Sequence, residues 1–89
     1  MVFSRFAEKQ IRKLPEQIFE SLQVWVRSVE VEGVMEMRKM PGYRDEALKG
    51  DRKGQRSSRL SRSYRVIYVE TADGNMTVFR VLEVNKHDY

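Results

Sequence analysis

The residues that could do chemistry in this chain are few. Its single histidine, His87, stands in Asn85-Lys86-His87-Asp88-Tyr89. That company is polar, so a histidine buried for packing is disfavoured there. Histidine's ordinary pKa lets it give and take protons near neutrality. In Ser57-Ser58-Arg59-Leu60-Ser61-Arg62-Ser63-Tyr64-Arg65, period-two alternation puts Ser57, Arg59 and Ser61 on one face. Arg65 begins a second β-rich run beside Val66 and Ile67. A guanidinium set there needs an anionic partner or a functional reason. Glu46 lies in the segment just before these arginines. Cutting RNA without a metal requires a base for the ribose 2′-OH, cations for the charge on the phosphorane, and an acid for the leaving 5′-oxygen. Glu46, Arg59, Arg65, His87 and Tyr89 supply candidates for each role. Their types permit the site, while the plain alternative is a set of structural salt bridges.

Charge distribution says what such a site would meet. The 89 residues carry 17 basic and 13 acidic side chains, a net +4. From Arg38 to Arg65 there are ten basic and three acidic residues, a local +7, while the rest carries −3. A cationic block of this kind suits a polyanion such as nucleic acid, or an acidic protein. With no cysteine, disulfides and thiolate metal sites are excluded. A lone histidine does not make a zinc site. No metal and no other cofactor is therefore expected. No run approaches the roughly 20 apolar residues of a membrane span, and the N-terminus lacks a signal-peptide core. The expectation is one cytoplasmic domain over residues 1–89, with a partner chain supplementing a small core.

The elements that must position these residues read as follows. Residues 2–5 can start a strand. Phe6, Ala7, Ile11 and Leu14 recur at helical spacing, predicting a helix over 5–13. Pro15 suits the first turn of a second helix, over 16–31. There Ile18, Leu22, Trp25, Val26 and Val29 form one apolar stripe, on which Trp25 reads as packing. Gly33 ends that helix, and Val34, Met35 and Met37 support one more turn. Pro41-Gly42 marks a turn, and residues 41–55 read as loop. Strands are expected over 56–61, 64–70 and 76–84, with a hairpin turn at Asp73-Gly74. The last strand alternates awkwardly: Arg80 interrupts one apolar face and Glu83 the other. The class is α+β, with an N-terminal helical hairpin packed on a small twisted, mainly antiparallel sheet.

Three stretches, Pro41 to Gly50, Gly54 to Leu60 and Tyr64-Arg65-Val66-Ile67-Tyr68, together resemble the RelE/ParE toxin superfamily. The ending His87-Asp88-Tyr89 is similar to that of its HigB-type and YoeB-type ribonuclease branches. The resemblance covers residues 41–89, and the N-terminal helices only by order and length. It implies a microbial ribonuclease-like fold and a metal-independent endoribonuclease that cleaves mRNA, usually in the ribosomal A site. It also implies a cognate antitoxin protein. Carried over by position, Glu46 matches a glutamate base, Arg65 the arginine that stabilises the transition state, and His87 an acid or base. Asp88 and Tyr89 match residues that orient substrate, and Arg59 a cation near the scissile phosphate. Lys49, Arg56 and Arg62 would contact RNA.

Two other classes share these features. ParE-type members have the same fold and inhibit DNA gyrase by binding. They generally lack the C-terminal histidine group, so His87-Asp88-Tyr89 favours the nuclease. A plain nucleic-acid-binding module would use the basic block with stacking aromatics. Tyr43, Tyr64 and Tyr68 are available for that, although Tyr64 and Tyr68 are equally accounted for as strand packing.

Overall fold

The computed structural model describes residues 1–73 and 76–86. The hairpin tip at Gly74 and the terminal His87, Asp88 and Tyr89 lie outside the described residues.

The chain opens with a short strand, β1 (Val2–Phe3). Ser4 then starts α1 (Arg5–Ile11) by accepting from the Ala7 N–H at 3.0 Å. The same hydroxyl donates to the Leu82 carbonyl at 2.7 Å, so one N-cap also ties the helix to the sheet. The helix stops two residues short of the predicted end. Helix α2 (Glu16–Glu32) follows Pro15, whose carbonyl accepts from both Ile18 and Phe19. Gly33 ends it at φ +91°, a left-handed conformation that favours glycine. Directly beyond it lies α3 (Val34–Lys39), a separate helix where the sequence suggested one more turn.

Residues 41–55 are more ordered than the expected loop. They contain 3₁₀ turns at Pro41–Tyr43 and Gly50–Arg52 and a two-residue strand, β2 (Glu46–Ala47). Strands β3 (Arg56–Arg59), β4 (Tyr64–Asp73) and β5 (Met76–Lys86) complete a five-stranded sheet of order β1-β5-β4-β3-β2. Among the described strands the β1–β5 pair is parallel and the other three pairs are antiparallel; the pairing of β3 with β4 and of β4 with β5 is as expected, whereas β2 pairs with β3 from within the expected loop. Strand β3 ends two residues early because Leu60 and Ser61 both donate to the Tyr64 carbonyl and close a tight turn.

A bulge resolves the mixed alternation of the last strand. Ile67 opposes Glu83, but Tyr68 opposes Val81, so Leu82 is the extra residue. That one-residue shift brings Phe79, Val81 and Val84 onto the same side. The expected grouping of Arg80 with Val84, and of Glu83 with Val81, is thereby corrected.

All three helices cover one side of the sheet. The core joins Ala7, Leu22, Trp25 and Met37 from the helices to Val66, Tyr68, Val81 and Val84 from the sheet. Trp25 is fully buried, with its ring 5.5 Å from Tyr68 and 5.7 Å from Phe79, while Tyr68 and Phe79 stack at 4.6 Å. Of the apolar stripe of α2, Leu22 and Trp25 are therefore core and Val26 and Val29 pack against it, while Ile18 is half-buried outside that cluster. Helices α1 and α2 leave between them a groove of about 1020 Å³, lined in part by Ile11, Phe19, Leu22 and Val26. No described helix is long and apolar enough to cross a membrane.

Candidate functional site

Among the described residues, no helix covers the other side of the sheet. Residues opposed across strands share a face, so the register defines what stands there. One row runs Glu46, Ser57, Ile67, Glu83 across β2, β3, β4 and β5. The next runs Arg59, Arg65, Asn85. With strands about 4.8 Å apart, the first row spans roughly 14 Å.

Side chains knit the two rows together. Arg65 Nη1 donates to Glu46 Oε1 at 2.9 Å and to Ser57 Oγ at 3.0 Å. The Arg65 side chain is 14% exposed and that of Glu46 is 60% exposed. The guanidinium is thus enclosed while the carboxylate stays open to solvent. A carboxylate largely in water binds its partner only weakly, so an incoming phosphate can share the Arg65 guanidinium with Glu46. At the far end of the first row, Arg52 reaches across from its 3₁₀ turn to pair with Glu83, which also accepts from Asn85 Nδ2 at 3.2 Å. A strip of alternating charge results, with the buried Ile67 as its apolar floor.

Behind this face, on the helix side, lies a second polar group. The Asp45 carboxylate is fully buried. It accepts from Arg56 Nε at 2.6 Å, Ser58 Oγ at 2.5 Å and Tyr68 Oη at 2.6 Å. Arg38 of α3 lies 3.7 Å from it, donates to Tyr68 Oη at 3.0 Å and pairs with Glu70. Burial pushes the Tyr68 phenol up to about 12, and the Asp45 charge adds to that shift while Arg38 opposes it. Tyr68 therefore stays protonated and donates to Asp45.

No family model matches the chain, and no curated protein matches it by sequence. Solved structures do match over nearly the whole length. The YoeB/ParE toxin from Agrobacterium tumefaciens superposes with a TM-score of 0.72 at 18% identity, covering 98% of this chain and 97% of that one. YafQ from Escherichia coli gives 0.74 at 15% identity, over 96% and 89%. The YoeB–YefM complex from Staphylococcus aureus gives 0.69 at 19% identity, over 99% and 94%. The chain has the RelE/YoeB-type toxin fold.

Within this toxin fold, the residues singled out from sequence divide into three groups. Glu46, Arg59 and Arg65 come together on the open face. Lys49 and Arg62 are exposed on the loops at either end of β3. Arg56 is the exception. It opposes Tyr68 on the helix side and is bonded to Asp45, because alternation turns it away from Ser57 and Arg59. Arg56, expected to contact RNA, is thus placed on the side of the sheet opposite Arg59. His87, Asp88 and Tyr89 fall outside the described residues; the last described rungs pair Asn85 with Arg65 and Lys86 with Tyr64.

Of the tyrosines proposed as stacking platforms, Tyr68 is core and Tyr43 packs against the core, 3.4 Å from the Ser28 hydroxyl. Sequence reasoning missed Asp45, Arg52 and the placement of Glu83. The first had a faint signal: a carboxylate next to Glu46 must take the opposite face if that segment is a strand. For Glu83, the bulge at Leu82 hid the answer.

Proposed function

We propose that this chain is the toxin of a type II toxin–antitoxin pair and a metal-independent endoribonuclease that cleaves mRNA in the ribosomal A site. The observation that carries the reading is the contact between the Glu46 carboxylate and the Arg65 guanidinium, on the open face of a toxin fold and one strand from Arg59. Glu46 takes the proton from the ribose 2′-OH. The 2′-oxygen attacks phosphorus, the bond to the 5′-oxygen breaks, and a cyclic phosphate and a free 5′-OH result. Arg65 stabilises the charge of the phosphorane, with Arg59 supporting the phosphate. His87 protonates the leaving oxygen, and Asp88 and Tyr89 orient the substrate. Lys49 and Arg62 hold the RNA backbone on either side.

The partner is a cognate antitoxin, acidic where it covers the block from Arg38 to Arg65. Support comes from that block's charge and from similar folds solved as the YoeB–YefM complex and the DinJ–YafQ toxin–antitoxin complex. Binding to the neighbouring gene's product should be tight at low salt and weaken as salt screens the block.

Primer extension on a defined mRNA translated in vitro tests the activity, with wild-type protein and with His87→Ala. Discrete ribosome-dependent cuts that are lost or sharply slowed in the variant are expected. No cuts from folded wild-type protein, together with inhibition of gyrase supercoiling, would replace this reading with the gyrase-inhibitor one.

A further inference from the structure

We infer that Asp45 is a positioning residue for Glu46: its buried carboxylate anchors the edge strand β2, and that anchor holds the base against Arg65. The inference rests on the nuclease reading for its catalytic consequence, and on geometry alone for the anchor.

Strand β2 has little else to hold it. It contributes two rungs at the sheet edge, and both its residues are exposed, so no side chain of the strand itself is packed into the core. Asp45 is the adjoining residue, and extended backbone sends it to the face opposite Glu46. There its two oxygens take three short hydrogen bonds, from Arg56 and Ser58 on β3 and from Tyr68 on β4. Arg38, which bonds to that Tyr68 hydroxyl, adds a tie to α3. Donors from two strands fix both the position and the rotation of the carboxylate. The rotation of the neighbouring peptide units, and with it the direction of Glu46, follows.

The chain also accepts strain to reach this arrangement. Arg44 is the one described non-glycine residue at positive φ, at φ +40° and ψ +48°. That left-handed turn directly precedes Asp45 and swings it inward. Left-handed backbone at a residue with a β-carbon persists only where its surroundings hold it. Buried ion pairs are weak contributors to stability compared with apolar packing of the same volume. A strained turn leading into such a cluster, beside a candidate base, therefore points to geometry as what the cluster provides.

Two readouts on the full chain test this. The first is amide hydrogen exchange of Leu48, whose N–H donates to the Gln55 carbonyl at 2.9 Å where β2 leaves β3. Asp45→Asn should speed its exchange at least tenfold, while amides between β4 and β5 change less than twofold. Equal acceleration in both places marks general destabilisation and overturns the anchor. The second is the cleavage assay. Asp45→Asn should lower kcat at least tenfold with KM within twofold, and in a Glu46→Gln background it should cost less than twofold more. Losses that multiply in the double variant overturn the positioning role. Should Asp45→Asn not fold, Ser58→Ala and Tyr68→Phe each remove one donor and retain every charge; each should give a smaller change of the same pattern, and no change in either overturns the inference. A wild-type chain that cuts no RNA defeats the nuclease reading instead, and the exchange experiment alone then decides the anchor.

Discussion

The two faces of this sheet are built from the same strands and obey opposite rules. On the helix side, Val66, Tyr68, Val81 and Val84 meet Trp25, Leu22 and Met37 in a dry core. On the open side, Glu46, Arg65, Ser57, Arg52 and Glu83 meet one another through charge and hydrogen bonds. The core face gains from area removed from water, at about 25 cal/mol per Å². The open face gains little, since pairs with exposed members contribute at most about 1 kcal/mol. Stability therefore resides on one side and adaptable chemistry on the other. Period-two alternation lets a ten-residue strand such as β4 serve both. The faces are joined at two places, the Leu82 bulge and the Asp45–Glu46 step.

Shifting the register of β5 by one residue breaks the division most severely. Deleting Leu82 alone would keep Phe79, Val81 and Val84 on one side, but deleting Leu82 and Glu83 together, with Val84 kept in the core, would drive Arg80 into it and expel Phe79 and Val81. Loss of the cooperative folded state is expected, visible as a missing thermal transition. A double deletion that melts like the wild type would show that the register of β5 does not set the faces.

Single substitutions should then separate the two sides. Trp25→Ala empties a fully buried site and should cost about 3–5 kcal/mol of stability. Arg65→Ala should slow cleavage by about 10²–10³-fold, the usual cost of one transition-state donor. Its effect on stability should stay at about 1–2 kcal/mol, because the Glu46 it releases is mostly in water and the other loss is one donor to the buried Ser57 hydroxyl. Denaturant melts and single-turnover cleavage of both variants check this. A melt as damaged by Arg65→Ala as by Trp25→Ala would mean that the open face is structural.

The core face was largely legible in the sequence, because helical spacing of Ile18, Leu22, Trp25 and Val26 and the β-branched run at Tyr64 to Val69 are local signals. The class and the antiparallel pairing of β3, β4 and β5 followed from these, and a shared role for Glu46, Arg59 and Arg65 was implied by the resemblance of residues 41–89 to known toxins. What was not legible depends on register. Whether Arg56 or Arg59 faces the site is a matter of one residue, and Arg56 reads as a surface cation until its Asp45 bond is seen. Strand β2 is too short to carry a periodic signal. Glu83 looked like a flaw in an apolar face because an inserted residue leaves no compositional mark.

A smaller effect should come from pH, and it isolates the polar cluster behind the site. Tyr68 has its pKa raised to about 12 against an ordinary 10. Below pH 10 both folded and unfolded chains keep the proton, and the group introduces no pH dependence. Between 10 and 12 the unfolded chain loses a proton that the folded chain retains, so stability falls as pH rises through that window. Tyr68→Phe should flatten this part of the curve while lowering stability at neutral pH, because Asp45 loses a donor. Denaturant midpoints measured from pH 8 to 12 would show it. An identical slope in both proteins would assign the alkaline loss to other groups.

The smallest effect belongs to the pair that closes the far end of the open face. Arg52 is about half exposed, whereas Glu83 is 17% exposed and also accepts from Asn85. Arg52→Ala should therefore cost less than about 1 kcal/mol, with a loss that shrinks as salt rises. Glu83 keeps its Asn85 bond and enough access to water to remain solvated. Cleavage should change by less than tenfold, since Glu83 and Glu46 stand at opposite ends of a row roughly 14 Å long. Cleavage and urea melts of Arg52→Ala at low and high salt measure both quantities. A loss of cleavage matching that of Arg65→Ala would extend the working part of the face across all four strands. A small loss would confine it to the half where Glu46, Ser57, Arg59 and Arg65 converge.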